Sequence, residues 1–187
     1  MRREVRFLPF STKTNKMEIK SLKITGDSTK REWAVYLFVA TPNDKNETVK
    51  LYVGKVGDNR DGCNPVISRI GNHFSYNKIH SQIRNKIEKP EDYEYEYFYC
   101  HFGEYEENIE QRFLSKQRIN ELERELNRKI QSKIIIYSNC KLLNPFTGKY
   151  VSKAKKESRN ILNEKELDIL NELVEKSLNI IEDSITF

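Results

Sequence analysis

Two apolar runs joined by a short polar connection constrain this chain more than any other feature. Trp33-Ala-Val-Tyr36-Leu-Phe38-Val-Ala40 is dense in aromatic and branched side chains, and Val49-Lys-Leu-Tyr52-Val-Gly54-Lys55 alternates. Pro42-Asn43-Asp44 lies between them, so the pair reads as an antiparallel hairpin. Side chains alternate across a pleated strand. Ala34, Tyr36 and Phe38 therefore share one face of the first strand, and Lys50, Tyr52 and Gly54 share one face of the second. The two tyrosines can lie on the same side of the sheet.

A helix is expected next, because Asn64 can cap an orphan N–H and Pro65 needs no donor at the first helical position. Ile67, Ile70 and Phe74 fall at helical spacing and make the expected buried stripe. Arg69 and His73, four apart, project together from a neighbouring face. Isoleucines 79, 83 and 87 continue a helical pattern up to Lys89-Pro90, in a different phase that suggests a break or a second helix near Ser75. A continuous helix would instead return His80 to the Arg69 face.

Tyr93-Glu-Tyr-Glu-Tyr97-Phe-Tyr99-Cys-His101-Phe has a period of two and reads as a third strand with its tyrosines on one face. Such a row serves either as a half-buried sheet face or as a base-stacking platform. Residues 104 to 131 give the longest helical signal, with Ile119, Leu122, Leu126 and Ile130 as its stripe. At about 100° per residue Glu123 sits at the edge of that stripe, Glu125 lies farther round and Glu121 points away. Glu123 is thus the carboxylate best placed to enter a pocket beside the core.

This order of elements, strand tyrosine, strand Tyr-Val-Gly, helix Arg-x-x-x-His, third strand and glutamate helix, resembles the GIY-YIG nuclease family. Ala34-Val35-Tyr36 stands in place of the first signature and Tyr52-Val53-Gly54 in place of the second. The first motif lacks its glycine, the connection between the tyrosines is long, and Gly57 to Cys63 inserts before the arginine helix. The resemblance implies an α/β (α+β) fold, a small three-stranded antiparallel sheet flanked by helices, with strands near 33–40, 48–54 and 93–102. It implies a metal-dependent endonuclease hydrolysing DNA phosphodiester bonds with Mg²⁺ or Mn²⁺, as a restriction, defence, repair or mobile-element enzyme. Tyr36 would be the general base, Tyr52 would position water or phosphate, and Arg69 would grip the phosphate beside His73. Glu123-Arg-Glu-Leu126 looks like the family's glutamate pattern, making Glu123 the metal ligand; Glu110-Gln-Arg-Phe113 fits it as well. Asn139 or Asn144 would match an asparagine that follows. Lys55 and His80 join as substrate-binding candidates. A phenolate on Tyr36 would need stabilisation by Lys55, Arg69 or His73. The other function class is a non-catalytic nucleic-acid-binding module with the same fold.

The flanks complete the division: an N-terminal extension over 1–31, the nuclease-like core over 32–144, and a basic linker with a C-terminal helix over 145–187. A loose strand pattern spans Met17 to Ile24, and Lys133-Ile-Ile-Ile-Tyr137 is either a buried strand or a helix tail before a loop. Lys149, Lys153, Lys155, Lys156 and Arg159 form a basic run that contacts phosphates or serves as a solvated linker. Asn163-Glu-Lys-Glu166 has the form of a capping box, and the helix after it completes the core or offers an apolar face to a second copy, a homodimer. A net charge of +5 biases the chain mildly toward polyanions. No apolar run reaches membrane-span length and the N-terminus lacks a signal-peptide core, so the expected location is cytoplasmic. Three widely spaced cysteines, Cys63, Cys100 and Cys140, indicate reduced thiols rather than a disulfide framework or zinc site.

Overall fold

A computed structural model of the chain describes residues 18–57, 64–77, 79–146 and 162–186. Strands β1 (Glu32–Pro42) and β2 (Val49–Val56) form the expected hairpin, followed by helices α1 (Val66–Phe74) and α2 (Gln82–Lys86). Then come β3 (Tyr93–Glu104), the long helix α3 (Ile109–Ile134), the short strand β4 (Cys140–Leu142) and helix α4 (Glu164–Thr186). The sheet order is β3-β1-β2-β4, with β1 antiparallel to both β2 and β3 and β4 parallel to β2. The expected count of three strands is corrected to four. Three residues are too few to show a period, and β4 is held by main-chain bonds such as Leu143 N to Leu51 O at 2.8 Å.

β1 is central and covered on both sides, which is why Trp33 through Ala40 is apolar or aromatic without a break. On one face Val35, Leu37, Leu51 and Val53 pack against the α3 stripe of Ile119, Leu122, Leu126 and Ile130. Leu170, Val174 and Ile181 of α4 close the same core. The apolar side of α4 is therefore covered within the chain, the first of the two roles expected for it. Its capping box forms in both directions, Glu166 N to Asn163 Oδ1 at 3.0 Å and Asn163 N to Glu166 Oε2 at 2.9 Å.

The other face carries Tyr36, Phe38 and Tyr52, with Val66 of α1 and Ile83 of α2 laid over them and Tyr95, Tyr97 and Tyr99 of β3 beside them. The tyrosine row of β3 is accordingly a partly buried sheet face.

Several local expectations change. α1 starts on Pro65 without a side-chain cap, so Asn64 does not cap it; Ser68 N and Arg69 N bond to the Pro65 carbonyl. Residues 18–25 form no strand, and Gly26–Thr29 is a single 3-10 turn. The run from Lys133 is a helix tail that ends at Ile134, with Ile135 and Ile136 exposed. The basic run from Lys149 to Arg159, with Lys153, Lys155 and Lys156, lies outside the described residues, as do Met17 and Cys63. Among the described residues no helix is long and apolar enough to cross a membrane, and Cys100 and Cys140 are free thiols.

Candidate active site

The hairpin register sets Tyr36 opposite Gly54 and Phe38 opposite Tyr52. Tyr36 and Tyr52 therefore sit on the same face, diagonally related, with ring centroids 6.4 Å apart and nearly parallel. Gly54 is required by this arrangement, because the Tyr36 ring lies across it and a Cβ there would collide with the Tyr36 hydroxyl. The free edge of β2 at this level is held by Asn144. Its side chain accepts from Val53 N at 3.1 Å and donates to Val53 O at 2.7 Å, continuing the ladder where β4 leaves it. Asn127 of α3 in turn donates to the Asn144 carbonyl. Of the two asparagines singled out in the sequence, Asn144 thus fixes the Tyr52–Gly54 segment, while Asn139 contributes its carbonyl to Val49 N.

α1 is rotated from the orientation its apolar spacing suggests, although Ile70 and Phe74 still pack against the core. Its buried residues are Val66 and His73, while Ile67, Ile70 and Phe74 are only partly covered. The cause lies in the surface beneath the helix. That surface presents tyrosine hydroxyls as well as ring carbons, so polar side chains that can bond to them turn inward. Counting apolar residues along the helix cannot register this.

His73 is fully buried, and its Nε2 lies 2.6 Å from the Tyr36 hydroxyl. Arg69 Nε donates to the same hydroxyl at 3.4 Å. Burial pushes the His73 pKa down to about 3, with the Arg69 and Lys86 charges acting in the same sense, so the imidazole is neutral at ordinary pH. The expectation of a cationic His73 stabilising a Tyr36 phenolate is corrected: His73 is a neutral hydrogen-bonding partner. Burial also raises the Tyr36 pKa, and the neighbouring Tyr52 adds to this while Arg69 opposes it. Tyr52 is raised by burial too, against the pull of Arg69. Tyr36 is 0% exposed and Tyr52 7% exposed, so of the two Tyr52 is nearer the surface.

Glu123 stands at the rim. It accepts an ion pair from Lys55 at 2.9 Å, with its side chain 26% exposed, and Lys55 also donates to the Asn120 side chain. The Glu123 charge reaches Tyr36, Tyr52 and Arg69. Glu121 is covered and paired with Arg124, and Glu125 is paired with Arg128. Glu110 lies exposed in the first turn of α3. Thirteen residues earlier on the same helix, it is about 20 Å from Glu123 along the axis. His80 is exposed on the turn between α1 and α2, outside both helices, so the continuous-helix placement fails.

One group escaped the sequence reading. Lys86 of α2 places its ammonium 5.3 Å from the centroid of the Tyr52 ring and donates to the Leu143 carbonyl at 3.1 Å. Its signal was present, since Lys86 stands between Ile83 and Ile87, both buried against this face. The site thus gathers Tyr36, Tyr52, Arg69, His73 and Lys86 on one sheet face, while Lys55, which alternates with Gly54, and its partner Glu123 of α3 come from the other face, the Glu123 charge reaching Tyr36, Tyr52 and Arg69.

A metal ion can be tested against these residues. Among the described residues no group of three histidine, cysteine or carboxylate side chains converges. A closed protein cage does not fit. A single Mg²⁺ held by Glu123, with water and phosphate oxygen as its remaining ligands, would have to displace the Lys55 ammonium that the carboxylate now faces.

No protein-family model, no curated protein and no solved structure matches this chain.

Proposed function

We propose that the chain is an endonuclease that hydrolyses phosphodiester bonds of DNA with the aid of Mg²⁺ or Mn²⁺. The observation that carries this reading is the convergence of Arg69, His73, Tyr36 and Tyr52 on one sheet face with Glu123 at its rim. Phosphodiester hydrolysis needs an activated water, a cation against the charge growing on the phosphoryl oxygens, and a route for the proton.

Arg69 supplies a fixed guanidinium for the phosphate, and Lys86 adds a second cation over the Tyr52 ring. Tyr52, the more accessible tyrosine, positions the water or a phosphate oxygen. Tyr36 passes a proton rather than storing a negative charge. As the water oxygen forms its bond to phosphorus, the bond from phosphorus to the ester oxygen breaks; the water proton moves to Tyr36 Oη while the Tyr36 proton moves to His73 Nε2, 2.6 Å away, and the departing oxygen takes a proton from solvent water. The tyrosine ends neutral, and the imidazole, which burial makes a weak base, holds the proton only in passing and returns it through Tyr36. Glu123 would hold the metal ion, which when bound supplies charge stabilisation to the phosphoryl oxygens.

A second reading, a binding module without cleavage, is favoured by one specific fact: Tyr36 and His73 are fully enclosed. Incubation of supercoiled plasmid with the protein in Mg²⁺, Mn²⁺ or EDTA separates the two. Nicking that requires metal is expected. A protein that shifts DNA in a gel yet cuts none, across plasmid, branched and single-stranded substrates, is the binding module.

A further inference from the structure

The turn between α1 and α2 carries a cavity of about 260 Å³ that the proposed reaction does not use, lined in part by Tyr76, Arg84, Asn85 and Glu88. Tyr76 is 88% exposed, in contrast to the buried tyrosines of the sheet. Its ring is nevertheless held. The Arg84 guanidinium lies 4.1 Å from the ring centroid, and Arg84 Nε is anchored on the Phe74 carbonyl at 2.5 Å. A flat aromatic surface is thus backed by a guanidinium and left largely open to solvent. Around it are a carboxylate, a carboxamide and the hydroxyls of Ser75 and Ser81.

We propose that this pocket receives one nucleobase of the bound strand, unpaired or turned out of the duplex, stacked on Tyr76 and Arg84 with its polar edge toward Asn85 and Glu88. Aromatic rings and guanidinium planes bind the face of any base, and amide and carboxylate groups match base edges. The position suits such a role. The pocket begins where α1 ends, and Phe74 is five helical residues from Arg69, on the order of 8 Å. Lys86, two residues beyond Arg84, touches the Tyr52 ring. At roughly 3.4 Å per nucleotide the seated base belongs two or three nucleotides from the phosphate at Arg69.

The proposal rests on the nucleic-acid reading above, and its test separates the two. Binding is measured by fluorescence anisotropy in EDTA, so that no cleavage intervenes, on a paired duplex, the same duplex with one bulged base, and that bulge made abasic. Free deoxynucleoside monophosphates are tested alongside. Tyr76→Ala should weaken binding to the bulged base by about 5- to 100-fold and binding to the abasic bulge by less than about twofold. Tyr76→Trp should restore the difference. Equal loss on both bulges, or no loss on either, overturns the pocket while leaving DNA binding in place. Tyr76-dependent binding of the free monophosphate, with none on the strand, overturns it in favour of a free nucleotide. A wild type that binds no oligonucleotide overturns the functional reading itself, and the pocket falls with it.

Discussion

The two faces of the sheet solve different problems with the same strands. Along β1 the odd residues Val35, Leu37 and Val39 meet leucines and isoleucines of α3 and α4, and the centre of this packing is aliphatic, with Trp33 at its end. The even residues Tyr36 and Phe38 meet Tyr52, Tyr97 and His73, and this side contains buried polar atoms without a hydrogen-bond partner among the described residues, His73 Nδ1 and Tyr97 Oη. Unpaired buried polar groups destabilise a fold and persist where something else requires them. The aliphatic face holds the chain together, and the aromatic face carries the strained electrostatics of a site.

The sharpest way to break this division is a pair of substitutions, one on each side. Arg69→Ala should lower plasmid cleavage by about 10²- to 10³-fold and stability by no more than about 1 kcal/mol. Leu126→Ala should do the reverse, costing about 2–5 kcal/mol in urea denaturation while the folded fraction keeps its specific activity. If both variants lose both properties, the faces are not separable.

Gly54→Ala tests the contact between the strands on the aromatic side. The added methyl meets the Tyr36 hydroxyl, so a loss of about 1–3 kcal/mol is expected, with cleavage falling further than stability alone accounts for. Unchanged stability would mean that the Tyr36 ring does not lie across Gly54.

Acid should act through the aromatic face. The folded-state pKa of His73 is about 3 against an ordinary value of 6.5, so between those values the unfolded chain binds the extra proton. The stabilisation is present above pH 6.5 and is lost as pH falls toward 3. From pH 6.5 to 4.5 this amounts to roughly 2–3 kcal/mol, and His73→Gln should flatten that part of the stability profile. An equally steep profile in the variant assigns the acid sensitivity elsewhere.

The smallest expected effect contrasts Lys86 with Lys176, which lies on α4 paired with Glu172. Lys86→Gln should reduce the slope of log affinity against log salt by about 0.9, the loss of one phosphate contact, and Lys176→Gln should leave it unchanged. Equal slopes in the two variants would remove the sided character of DNA binding.

Much of the aliphatic face was legible in the sequence, because burial there follows period alone: Ile119, Leu122, Leu126 and Ile130 are all buried as spaced, and the hairpin registers as its alternation requires. The placing of Tyr36 with Tyr52 was legible for the same reason. The inward turn of Arg69 and His73 was legible only as a shared side, not as the buried one, since it depends on hydroxyl partners supplied by another element. β4 was too short to register, and Lys86 sits on a five-residue helix with less than two turns of pattern. The charge state of His73 depends on enclosure by elements distant in sequence, which no local spacing encodes.

The central claim, that Glu123 at the rim of the aromatic face serves cleavage, is tested most directly by comparing Glu123→Ala with Glu110→Ala on supercoiled plasmid in Mg²⁺ or Mn²⁺. Glu123→Ala should abolish nicking while gel-shift affinity stays within about threefold, and Glu110→Ala, altered at the exposed start of α3, should cut as the wild type does. Wild-type nicking by Glu123→Ala, with cleavage lost in Glu110→Ala, would contradict the account.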